Sequence, residues 1–154
     1  MPLEDKIIHN LRKNNYSLST AESCTGGLLS HRLTQIPGSS ATFKGGIIAY
    51  SNEIKINILK VPEKMIRTYG AVSAEVAITL AKSVRTILKT DFGISITGIA
   101  GPTGATFKKP VGLVFIAVAT NKETLCLKCQ FDGSRSEIKS KASTQALKIL
   151  QEFL

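Results

Sequence analysis

The chain has no tryptophan, only two histidines, only three cysteines, and 11 acidic residues against 20 basic ones. Each scarcity narrows what it can do. With His9 and His31 as the only imidazoles, both set in helical patterns, a Ser-His-Asp triad is poorly supported. An odd number of cysteines does not build a disulfide framework and suits a reducing compartment. Cys126 and Cys129 do spell a C-x-x-C, but the run TLCLKCQF reads as a strand, where positions three apart point to opposite faces, so no redox pair is expected.

Long apolar runs are missing as well. None approaches the roughly 20 residues needed to cross a bilayer, so no membrane partner is expected. The start, MPLEDKIIHNLRK, has acids before its first apolar residues and lacks the apolar stretch and cleavage site of a signal peptide, which leads to the expectation of a cytoplasmic protein. Neither G-x-x-x-x-G-K-[ST] nor a G-x-G-x-x-G opening a helix after a strand is present, which argues against an ATPase or a Rossmann dehydrogenase. The shortage of acids leaves a net charge of +9, favourable to anionic partners of any kind. The lysines are scattered, and only Phe and Tyr offer faces for stacking, so a solvated basic surface is a better reading than a nucleic-acid track.

What is present fits one globular domain over residues 1–154, with 43% hydrophobic and 20% charged residues. Leu3, Ile7, Ile8 and Leu11 predict an opening helix that ends near Asn14-Asn15, followed by a short strand at about 17–21. LLSHRLTQI reads as a helix, FKGGIIAY (43–50) as a strand and SNEIKINIL as a short helix. Ser73 can cap a helix whose apolar positions run from Val76 to Leu88 at a 3.6-residue period. Strands FGISIT (92–97) and VGLVFIAVA (111–119) follow, the second apolar enough to be buried on both faces. A hairpin then leads to TLCLKCQF, and Ile138, Ala142, Ala146, Ile149 and Phe153 mark a last helix. Helices able to cover both faces of these strands predict an α/β class: a three-layer α/β/α sandwich with a mixed, mostly parallel sheet.

Two segments offer chemistry. In STAESCTGG (19–27) a strand runs through a polar turn toward a helix, which would aim free helix N–H groups at an anion or at the oxyanion of a reaction on Ser23. The same pattern fits Ser23 or Thr25 as a simple helix cap, and Cys24 is a rival nucleophile beside Ser23. Lacking histidine, a serine would need a lysine of lowered pKa as base. Lys55, just after strand FKGGIIAY, is the candidate, against the simpler reading of a solvated helix-face lysine. The second segment is the long loop GIAGPTGATFKKP, where Thr97, Gly98, Ile99, Ala100 and Gly101 could bring backbone N–H groups up to a phosphate or carboxylate, against the simpler reading of a flexible turn.

AESCTGG (21–27), PGSSATFKGGIIAYSNEIK (37–55), YGAVS (69–73), SITGIAGPTG (95–104), KPVGLVF (109–115) and FDGSR (131–135) occur in the order in which similar blocks occur in the CinA C-terminal domain family, and together they cover nearly the whole chain. The best-defined members of that family are nicotinamide-nucleotide amidases. The resemblance implies the three-layer sandwich and hydrolysis of nicotinamide mononucleotide to nicotinate mononucleotide and ammonia by a Ser/Lys pair, with no metal and no cofactor. By motif the serine is Ser23 and the lysine Lys55, with Thr25 and Gly26 as expected oxyanion support. Gly45, Gly46, Tyr50, Gly98, Ala100, Gly101 and Arg135 are the expected substrate contacts, Tyr50 for the pyridinium ring and Arg135 for the phosphate. Tyr50 as a core residue and Arg135 as a helix-start surface residue remain open alternatives. The implied partner is a small-molecule nucleotide; self-association into a homo-oligomer such as a dimer also stays open. Gly104-Ala105 stands where the family often has two glycines, and longer relatives carry an extra N-terminal domain.

Overall fold

Apolar residues at helical spacing bury one side of α1 (Leu3–Lys13) through Ile7, Ile8 and Leu11. The computed structural model describes residues 1–154, and in it α1 leads into the fully buried strand β1 (Leu18–Glu22). There follow α2 (Leu28–Thr34), β2 (Phe43–Ile48), α3 (Asn52–Asn57), α4 (Glu63–Tyr69), α5 (Ala74–Leu88), β3 (Phe92–Gly98), β4 (Leu113–Ala119), β5 (Thr124–Gln130) and α6 (Arg135–Gln151).

The sheet order is β2-β1-β3-β4-β5. β1 is parallel to both neighbours, while β4 is antiparallel to β3 and β5, so four of the five strands share one direction and only β4 opposes them. One face is covered by α1, α2 and α6, whose apolar residues pack on Leu18, Ile94, Ile96, Val114, Ile116 and Val118. On the other, Val76, Leu80 and Val84 of α5 meet Ala21 and Ala49, and Ala77 and Ala81 meet Ala117 and Ala119. This is the expected mixed three-layer sandwich. Each fully buried Leu or Ile contributes about 1.5–3 kcal/mol, enough in number to hold β1 rigidly between the two layers. Ser73 caps α5 by accepting from the Val76 N–H at 3.3 Å. Cys126 packs on the α5 side of β5 and Cys129 on the α6 side, so the C-x-x-C splits across the sheet. No helix is long and apolar enough to cross a membrane.

Three details differ from the sequence reading. α4 was not expected; none of its residues is fully buried, and only Met65 and Ile66 lean on the core, too short a signal for a helical period. α6 stops at Gln151, leaving Phe153 to stack edge-on against Phe92 from the turn beyond. β4 begins at Leu113 because Gly112, at φ +89°, forms a bulge: its N–H bonds the Ile99 carbonyl while the Ile99 N–H bonds the Leu113 carbonyl, so Gly112 and Leu113 together face Ile99.

Gly46 holds β2 close to β1. A Cβ there would stand 2.2 Å from Thr20 Oγ1 and 2.9 Å from Ser30 Oγ, two hydroxyls that are themselves hydrogen-bonded at 2.7 Å. Gly46→Ala is therefore expected to destabilise the fold by about 1–3 kcal/mol, read as a fall in Tm of about 2–10 °C.

Candidate functional site

The period-two alternation of β1 sends Glu22 to the α2 side of the sheet and Ser23 to the α5 side. Ser23 extends the ladder by one bond, from its N–H to the Ile96 carbonyl at 2.9 Å, so its backbone position is set by the sheet. β2 ends beside it, and the chain re-enters as α3, capped by Ser51, whose hydroxyl accepts from the Ile54 N–H at 3.2 Å. That short helix carries Lys55 back over the end of β1.

Lys55 Nζ lies 3.0 Å from Ser23 Oγ, 2.7 Å from the Ala49 carbonyl and 3.3 Å from the Tyr50 carbonyl. The residue is only 2% exposed. The ion pairs of the chain, Arg32 with Glu4 and Arg67 with Glu63, leave it without a carboxylate. Burial therefore pushes its pKa below the ordinary lysine value, opposed only by the neighbouring Cys24. Nζ donates to both carbonyls and to the Ser23 hydroxyl oxygen, three acceptors for three N–H groups; loss of one proton would leave a lone pair facing the serine.

Cys24 lines the same cleft beside Ser23 but lies mostly buried. It is 6% exposed, packs with the large core cluster, and burial drives its thiol pKa up to about 11. A thiol of that pKa is almost wholly protonated at neutral pH and is a poor nucleophile.

The turn after Ser23 departs from the expected cap. Gly26 and Gly27 both take positive φ, +58° and +105°, a path open to glycine, and α2 begins only at Leu28. Neither Ser23 nor Thr25 caps it. The cap is the Glu22 carboxylate, which takes the N–H groups of Gly27, Leu29 and Ser30. The anion-facing donors of this helix are thus satisfied within the protein. Gly26 is also corrected as oxyanion support, because its N–H donates to the Ser23 carbonyl at 3.0 Å. The N–H groups of Cys24 and Thr25 make no hydrogen bond to another residue and remain the free donors of the turn.

Around this pair opens a cleft of about 320 Å³ at the C-terminal ends of β1, β2 and β3, the end where parallel α/β sheets offer their crevice. Ser23, Lys55, Tyr50, Gly98, Ala100, Gly101 and Arg135 all line it. Tyr50 is 61% exposed, so it is no core residue. Arg135, the first residue of α6, donates to the Gly101 carbonyl at 2.7 Å and to the Tyr50 hydroxyl at 3.1 Å, joining three expected contacts in one bridge. Gly45 and Gly46 do not reach the cleft: they lie within β2, Gly45 facing Leu88 and Gly46 facing Thr20 and Ser30, and serve strand packing. The Pro37–Ser40 turn also sits at the entrance to β2, the opposite end of the strand from the cleft. No group of three or more His, Cys, Asp or Glu side chains is placed to hold a metal ion.

Comparison with known proteins bears on this geometry. The family model described as the CinA C-terminal domain matches residues 1–154. The chain belongs to the CinA C-terminal domain family. A CinA-like protein of Acidobacterium capsulatum is 47% identical over 152 residues, 99% of this chain and 37% of that protein. A protein of Thermoanaerobacter sp. strain X514 named a putative competence-damage inducible protein is 45% identical over the same shares. This CinA domain thus spans just over a third of the length of those relatives. The crystal structure of the competence/damage inducible protein CihA from Agrobacterium tumefaciens superposes with a TM-score of 0.95 at 37% identity, covering 97% of this chain and 92% of that one.

Several lining residues of the CinA domain had been given no role from sequence: Asn52 of α3, and Ala71 and Val72 before α5. They fall inside the blocks YSNEIK and YGAVS, so block membership was the available signal. Glu22 was likewise quoted without a function. An acid within an otherwise buried strand was its signal.

Proposed function

We propose that this CinA domain hydrolyses the carboxamide of nicotinamide mononucleotide to nicotinate mononucleotide and ammonia, with Ser23 as nucleophile and Lys55 as general base. The observation that carries the reading is the buried, carboxylate-free Lys55 amine 3.0 Å from Ser23 Oγ at the floor of an open cleft. Neutral Lys55 takes the Ser23 proton as Oγ bonds to the carboxamide carbon, and the carbonyl oxygen takes up the negative charge. Cys24 and Thr25 N–H groups are the donors assigned to that oxyanion. Collapse breaks the C–N bond, the lysinium passes its proton to the leaving nitrogen, and ammonia departs. Water then attacks the acyl-enzyme, giving its proton to Lys55, and as the ester bond breaks the lysinium returns that proton to Ser23 Oγ, restoring the pair.

The substrate's phosphate is assigned to Arg135 and the backbone of the 98–104 loop, because the α2 N-terminus is already occupied by Glu22. The pyridinium ring is assigned to the face of Tyr50, whose exposure leaves it open to a ligand. The test is ammonia release from nicotinamide mononucleotide by the purified protein. Binding of the nucleotide without release would instead favour a non-catalytic nucleotide-binding module, of the kind that competence or damage association suggests. Arg135→Ala is expected to raise KM for the mononucleotide by about tenfold or more while hardly changing it for the riboside, which lacks the phosphate. Equal effects on the two substrates would remove Arg135 from the phosphate site.

A further inference from the structure

The Glu22 carboxylate is more elaborately bound than a helix cap requires. It is 1% exposed and has no cationic partner among the ion pairs of the chain. Oε1 accepts from the Thr25 hydroxyl at 2.6 Å and the N–H groups of Gly27 and Leu29 at 3.2 and 3.0 Å. Oε2 accepts from the Ser30 N–H at 2.9 Å and the Ser30 hydroxyl at 2.6 Å. A single short side chain at the N-cap would satisfy one or two of these donors. This carboxylate reaches instead from the residue before Ser23 to donors on the far side of the turn, so Ser23 and Cys24 lie inside a loop closed by hydrogen bonds. Within it the Ser23 carbonyl is fixed by the Gly26 N–H and the Ser23 N–H by Ile96.

The same network reaches the strand that delivers the lysine. Ser30 Oγ meets Thr20 Oγ1 at 2.7 Å, and this pair fills the space beneath Gly46 of β2. β2 continues into Ala49 and Tyr50, whose carbonyls hold Lys55 Nζ. Glu22 thus braces the serine turn through a hydrogen-bonded network that packs against β2, the strand leading to α3 and Lys55, on the face of the sheet opposite the cleft.

Resting on the Ser/Lys reading above, we propose that Glu22 is a positioning residue: it never touches substrate, and it sets the approach of Ser23 Oγ to Lys55 Nζ by clamping the turn between β1 and α2. Displacing a reacting atom by about 1 Å costs on the order of 100-fold in rate, so a clamp at this place is expected to act on the chemical step and not on binding.

The experiment uses the Glu22→Gln variant, which keeps the side-chain length but turns one acceptor oxygen into an amide that faces the Ser30 N–H. Two readouts are taken. One is the rate at which Ser23 is labelled by a fluorophosphonate, a reaction that forms the Ser23 Oγ–P bond, expels fluoride and hands the serine proton to Lys55. The other is kcat and KM on nicotinamide mononucleotide. Labelling and kcat are expected to fall together by about 10–100-fold, with KM within about twofold of wild type. Wild-type labelling and kcat in a folded Glu22→Gln protein would overturn the proposal, as would a loss appearing only in KM. If Glu22→Gln does not fold, Ser30→Ala removes one of the two Oε2 bonds from a residue outside the cleft, and labelling about 3–10-fold slower is expected. An unchanged rate there would overturn the proposal equally. Because labelling requires no nucleotide, a protein labelled at Ser23 that releases no ammonia from nicotinamide mononucleotide would refute the substrate and leave the clamp standing.

Discussion

Lys55→Met is expected to lower turnover by about 10²–10⁴-fold while leaving the protein folded. Methionine nearly matches the lysine in length and is at home in an apolar pocket, so the packing of α3 over the end of β1 survives while the proton acceptor is lost. Lys55→Arg should be no better, since guanidinium does not deprotonate at accessible pH. The pH dependence follows from the lowered lysine pKa. Rate should fall on the acid side as Lys55 takes up a proton. Stability should change in the same sense: between the lowered folded value and the ordinary lysine value, the unfolded chain binds more protons than the folded one, so wild-type stability rises with pH across that window. Denaturant unfolding at several pH values should show that rise in wild type and its absence in Lys55→Met. A variant that keeps its rate, or a wild type with a flat profile on the acid side, would remove Lys55 as the base.

Ser23→Ala is expected to cost on the order of 10⁴–10⁶-fold in kcat, the scale seen when the nucleophile of a coupled pair is removed. Cys24→Ala, one residue along, should keep turnover within a few-fold, because a thiol with a pKa of about 11 has almost no thiolate to offer at neutral pH. It should lose about 1 kcal/mol of stability, since the sulfur is part of the core. The pair of variants is informative together: ammonia release and fluorophosphonate labelling should vanish in the first and persist in the second. The reverse pattern would make the mechanism a thiol one and would require burial to have been relieved when substrate binds.

The layers of the fold were legible because their signals are local. A continuous apolar run announced β4, and a 3.6-residue period announced α5. α4 was invisible because it buries nothing fully. At the site, Ser23 and Lys55 could be named through ordered motifs, yet nothing in the local pattern of either required the 3.0 Å contact, which is a product of parallel β1 and β2 ending side by side. The turn was misread for a physical reason. A strand entering a helix after a polar turn predicts vacant N–H groups, and here the preceding residue, Glu22, folds its own carboxylate onto them. Gly45 and Gly46 were read as ligand contacts on the strength of sharing a block with Lys55. A glycine demanded by a neighbouring strand's hydroxyl looks the same in sequence as one demanded by a ligand.

The Arg135 bridge has a consequence for pre-organisation. One N–H of each terminal nitrogen is engaged, by the Gly101 carbonyl and by the Tyr50 hydroxyl. A guanidinium has five N–H groups, so three donors remain for the anionic ligand of the proposed function without either bond being broken. An arginine already held in one orientation by two neutral acceptors loses less rotamer freedom when it takes up such an anion.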